Sequence, residues 1–103
     1  MTEFKPQWGN ETTDYLIKAL RMLQTEEEIC RFLDDICTIS ELEALAQRLQ
    51  VAKLLARQET YNEIAGHTGA STATISRVKK CLVYGAGGYE LVLSRLKETG
   101  EEE

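Results

Sequence analysis

TYNEIAGHTGASTATISRVKKCL, residues 60–82, carries two short helical patterns around a glycine, and its reading decides the fold. Thr60 followed three residues later by Glu63 is a capping-box arrangement, and Ser71 or Thr72 can cap the second helix. Ala65 falls where two crossing helices approach most closely, so only a methyl fits. Gly69 falls in the turn, where a left-handed backbone is cheap without a Cβ. Ile64, Ile75 and Val78 are then the apolar residues that clamp the pair. Each type answers a separate steric demand, and together they spell a helix-turn-helix over 60–82.

The rest of the chain reads as helices around that unit. Residues 1–10 form an arm bearing Phe4, Pro6 and Trp8, either disordered or laid as an apolar strap on a partner; the exposed Trp favours the strap. A helix starts at Thr12 or Thr13, with Leu16, Leu20 and Leu23 at helical spacing. Thr25 with Glu28 caps a second helix whose one face holds Ile29, Phe32, Leu33 and Ile36. Thr38 with Glu41 caps a third running to about Gln58, apolar nearly all round from Leu49 onward. Such a helix must be buried nearly all round, which two chains wrapped together achieve and one short chain hardly does. Gly85 suits a helix C-cap, a last helix covers Tyr89 to about Lys97, and residues 98–103 form a frayed acidic tail. The expected organisation is an arm (1–10), one all-helical domain (11–97) and that tail.

Composition narrows the function. The 103 residues hold one Pro, one His and three Cys, enough for one domain with a small core. Cys30, Cys37 and Cys81 lack metal-ligand spacing and read as reduced hydrophobes of a cytoplasmic protein. His67 reads as a partly exposed helix-turn residue. No apolar run is long enough for a membrane span, and the start lacks the pattern of a secretory signal. No metal, cofactor or enzymatic constellation is indicated. The glycines at 85, 87 and 88 follow no strand and precede no phosphate-loop lysine, which argues against a nucleotide loop.

The net charge is −5, yet its distribution is uneven. Residues 1–45 carry −6, residues 46–97 carry +5 and residues 98–103 carry −4. The helix-turn-helix thus lies in the one basic segment, the electrostatic footprint expected of a nucleic-acid binder. Helical spacing turns Ser71, Thr72, Ala73, Ser76, Arg77 and Lys80 outward, opposite Ile75 and Val78. Arg77 suits a bidentate contact to guanine or a phosphate clamp; Lys79 and Lys80 suit phosphates, and Thr60 and Asn62 backbone contacts. The alternative is a helix-turn-helix used for protein–protein interaction in transcription, which overall acidity and a weak base-reading face favour.

Glu43-Ala44-Leu45, Arg48, Leu54-Leu55, Gly69 to Arg77 and the continuation YGAGGYELVL (84–93) resemble the Trp repressor superfamily, nearest its YerC/YecD branch. The resemblance implies an all-α fold of six helices in an intertwined homodimer. Its fourth and fifth helices would enter double-stranded DNA, in a transcription regulator that the family type implies is a repressor. It also places a corepressor pocket at Thr38, Arg48, Arg77, Val78 and Cys81. There the family's glycine is replaced by Val78 and a ligand-contacting serine by Cys81. The isopropyl group of Val78 is expected to protrude into the pocket and seal it, so that tryptophan does not bind; no other effector is identifiable.

Overall fold

A computed structural model describes residues 3–100. Its six helices are α1 (Glu11–Arg21), α2 (Glu26–Ile36), α3 (Ile39–Ala56), α4 (Tyr61–Thr68), α5 (Thr72–Tyr84) and α6 (Gly88–Glu98), with no strand among the described residues. They fall into two compact units, one ending at Thr38 and one beginning at Ile39. Met1 and Thr2 of the arm and residues 101–103 of the acidic tail lie outside the described residues.

Local chemistry sets the helix starts. α1 opens one to two residues earlier than expected, because Asn10 is the cap and Thr13 its reciprocal partner: Thr13 N–H donates to Asn10 Oδ1 and Asn10 N–H to Thr13 Oγ1, each at 2.9 Å. Thr25 caps α2 by accepting from Glu28 N–H, while the Glu28 carboxylate reaches past the cap to Gln24 N–H at 2.7 Å. Three glutamates, Glu26 to Glu28, fill the first turn of α2, where the helix dipole favours negative charge. In the arm, a turn closes from Gly9 N–H to the Pro6 carbonyl, and Phe4 and Trp8 are exposed. No residue of α1 or α2 is buried.

The second unit holds the core. Val51, Ala52 and Leu54 of α3, Ile64 of α4, Ala70 of the turn, and Ile75 and Val78 of α5 form one buried cluster. Leu55, Tyr61, Ala65, Leu82, Tyr89 and Leu93 pack against it half-buried. On α3 the residues at 51, 52, 54 and 55 cover an arc of about 160°. Leu45, Leu49 and Ala56 lie on the remaining apolar side and are exposed, so a single chain encloses only part of this helix. Gln47 shares the face of Val51 and Leu54, and its amide donates to the Thr68 carbonyl at the end of α4, 3.1 Å away. That bond ties the central helix to the turn.

α3 ends at Ala56, two residues short of expectation. Gln58 takes a left-handed φ of 64°, with Gln58 N–H bonded to the Leu55 carbonyl and Glu59 N–H to the Leu54 carbonyl. This is the paired-bond helix stop normally built on glycine. It turns the chain sharply, and α4 begins three residues later.

Candidate nucleic-acid interface

The helix-turn-helix forms as its sequence demands. Thr60 and Glu63 make the full capping box of α4, with Thr60 N–H donating to Glu63 Oε1 at 2.8 Å and Glu63 N–H to Thr60 Oγ1 at 3.2 Å. The Thr60 backbone N–H bond to the carboxylate foremost, and a hydrogen bond from the Thr60 side chain after it, hold the Glu63 carboxyl below its ordinary pKa. Gly69 ends α4 with φ 71°, and Thr68 Oγ1 accepts from Ala70 N–H while donating to the Ile64 carbonyl. Ser71, not Thr72, caps α5 by accepting from Thr74 N–H at 3.1 Å. The second helix continues to Tyr84, two residues beyond the expected end, before Gly85 caps it. A Cβ on Gly85 would collide with the Cys81 carbonyl, which accounts for glycine there.

α5 therefore has two unlike sides. Ile75 and Val78 are sealed in the core, whereas Ser71, Thr72, Ala73, Ser76, Arg77, Lys79 and Lys80 are exposed, as are Thr60 and Asn62 at the start of α4. The hydroxyls of Ser71 and Thr60 are engaged in caps, so these two residues present chiefly backbone to a partner. The Lys79 ammonium lies 5.8 Å from the centroid of the Tyr61 ring, a cation–π spacing that links the start of α4 to the middle of α5. Sequence reasoning missed this contact because the partners are 18 positions apart and meet only through the turn. It missed Gln47 too, although a polar residue on an otherwise buried helix face is a signal that a partner is needed.

His67 sits exposed in the last turn of α4, its Nδ1 3.2 Å from Glu59 Oε1. Cys30, Cys37 and Cys81 are free thiols. Among the described residues there is no cluster of three or more metal-ligating side chains, and no helix is long and apolar enough to cross a membrane.

The position of Val78 corrects one expectation. Arg48 and Arg77 line a cleft of about 300 Å³ between α3 and α5, together with Ala44, Gln47, Ala73 and Thr74. Val78 is not in its lining; with 1% of its surface exposed it is a core residue. One helix position cannot point both into the clamp with Ile75 and out beside Arg77, and apolar burial wins. Cys81 lines a different, apolar groove with Leu49, Tyr89 and Val92. Thr38 is exposed and closes the N-terminal unit. The seal expected of Val78 is therefore not made, and the two arginines flank open space.

Residues 11–97 match the Trp repressor protein family. The chain belongs to that family. It is 54% identical over 89 residues to YerC of Bacillus subtilis (strain 168), an uncharacterized protein, covering 86% of each chain. Among solved structures it is similar to a Staphylococcus aureus protein described as a candidate Trp repressor, with TM-score 0.82 and 44% identity over 86% of this chain and 89% of that one. It is likewise similar to a TrpR-like protein of Eubacterium eligens ATCC 27750, with TM-score 0.82 and 45% identity over 85% and 91%. The all-α fold is that of these Trp repressor-like proteins. The Trp repressor-like family points to a helix-turn-helix DNA-binding regulator.

Proposed function

We propose that this Trp repressor-family protein is a sequence-specific DNA-binding regulator of transcription, a repressor, acting in the cytoplasm as a homodimer. The observation that carries the reading is the two-sidedness of α5. Its small and cationic residues stand clear of the core while Ile75 and Val78 anchor its back. On this reading α5 enters the major groove. The small side chains of Ser71, Thr72 and Ala73 allow close approach, and their amides at the helix N-terminus meet phosphate or base edges. Arg77 contacts guanine or clamps a phosphate; Lys79, Lys80, Thr60 and Asn62 hold the backbone. Ser76 lies between these groups on the groove side.

The dimer is supported by what a single chain leaves uncovered. Tyr15, Met22, Ile29, Ile36, Leu45 and Leu49 are all exposed, far more apolar surface than a lone soluble domain tolerates. A second copy laid over these faces would complete one helical domain over 11–97. It would also set two α5 helices side by side, reading half-sites about one DNA turn apart.

We propose further that DNA binding does not respond to tryptophan. The cleft between Arg48 and Arg77 offers two alanine methyls as its apolar lining, and Cys81 stands in another groove. Saturable heat on titration with L-tryptophan would overturn this part.

The decisive experiment is selection of bound fragments from the native genome, followed by retardation assays with the selected sites. Arg77→Ala is expected to abolish discrimination between selected and scrambled duplexes. Lys80→Ala should weaken both alike and lower the salt slope by about one. If both variants bind as the parent does, the groove face is wrong.

A further inference from the structure

α5 holds no Asp or Glu, and the residues one turn either side of Lys79 are Ile75, Ser76, Leu82 and Val83. Its own helix therefore offers the ammonium no carboxylate to pair with. A solvated lysine in that setting spreads over many rotamers. The Lys79 ammonium is instead found 5.8 Å from the centroid of the Tyr61 ring, on the other helix of the motif. That ring is a fixed platform. The capping bonds between Thr60 and Glu63 set the start of α4 around it, and Tyr61 packs half-buried against the cluster that holds Ile64, Ile75 and Val78. Direction matters as much as distance. At 100° per residue Lys79 lies about 40° round α5 from Ile75, against about 140° for Lys80 and about 160° for Arg77. Lys79 thus borders the seam with α4, whereas Lys80 and Arg77 stand on the open side.

We infer that Tyr61 is a positioning residue for DNA: its ring holds the Lys79 ammonium beside the start of α4, where Lys79 contacts the phosphate backbone together with Thr60 and Asn62. This rests on the DNA-binding reading above and adds to it a residue whose part is to aim another. The face of the ring carries partial negative charge and attracts the cation. It takes up one side of the ammonium, whose three N–H donors leave others for phosphate oxygens. The long side chain is then ordered before DNA arrives, so less freedom is lost on binding. The attraction needs an aromatic face and no hydroxyl, so phenylalanine serves at position 61 and leucine does not.

The test has one arm without DNA and one with it. In the free protein the ring current of Tyr61 should move the ε-methylene protons of Lys79 upfield in the NMR spectrum, and Tyr61→Leu should return them to the position of an exposed lysine. On a duplex, measured by retardation across a range of salt, Tyr61→Phe should bind as the parent does. Tyr61→Leu should bind about threefold to tenfold more weakly and lower the salt slope by about one, as should Lys79→Gln. In the Lys79→Gln background Tyr61→Leu should cost nothing more. A loosened core weakens binding without removing a phosphate contact, so an unchanged slope in Tyr61→Leu would overturn the inference. So would a loss that adds in full to that of Lys79→Gln, or Lys79 protons at ordinary positions in the parent. Should Tyr61→Leu not fold, pentafluorophenylalanine at position 61 keeps the ring's shape, removes its negative face and supplies the same comparison. A parent protein that retards no duplex overturns the DNA-binding reading as well, whereas the other failures leave that reading standing.

Discussion

Two parts of one chain handle apolar side chains in opposite ways. In the second unit, Ile64, Ile75, Val51 and Val78 are sealed from water within a motif of some forty residues. In the first, α1 and α2 bear apolar residues at equally regular helical spacing and bury none of them. The contrast lies in what each helix meets. α4 and α5 fold back on α3 across a three-residue turn that begins at Gly69, so contacts close over short stretches of chain and loop entropy is small. α1 and α2 carry faces that this chain does not cover. One unit seals a core with its own sequence; the other seals none, and on the reading proposed above a second copy covers its faces.

That contrast can be broken most directly at Ile64. Truncation to alanine in the sealed core should cost about 3 kcal/mol, read as a lower midpoint in urea that is independent of protein concentration. A charge placed on the open side should behave differently. Ile36→Asp is expected to leave the core motif folded while raising the dimer dissociation constant at least about a hundredfold, measured by sedimentation equilibrium. An unchanged sedimentation profile would show that the first unit's apolar faces serve something other than self-association.

Smaller changes sharpen the comparison within the unit that holds the core. Gln58 holds a left-handed backbone that costs a residue with a Cβ about 1 kcal/mol, so Gln58→Gly should raise stability by about that amount. A loss would mean that the side chain contributes more than its backbone costs. The smallest effect concerns acid. Because the bonds from Thr60 lower the Glu63 pKa in the folded state, the stabilisation is present above the usual carboxylate value and fades as pH falls through the lowered one. Thermal unfolding of Glu63→Ala beside the parent should show a gap that is constant near neutrality and narrows in acid.

The legible features were those written in three or four consecutive positions. The caps at Thr25, Thr60 and Ser71 were readable because a side-chain oxygen and the amide three residues on are neighbours in any helix start. The clamp of Ile64, Ile75 and Val78 was readable for a similar reason, since helical periodicity and one short turn bring them together. Asn10 was overlooked because two threonines beside it offered the same chemistry. Gln58 was unreadable as a left-handed stop, for nothing in its side chain announces one; the packing of α4 against α3 imposes it.

What the sequence alone determined is the local grammar: six helices, the caps at Thr25 and Thr60, the turn at Gly69 and the outward face of α5. These follow from hydrogen bonds and periodicities that span a few residues. Only the tertiary structure decided where Val78 spends its side chain, and with it the open cleft between Arg48 and Arg77. Cavities are made by residues from separate helices, and their shape depends on how those helices cross rather than on any one helix's pattern.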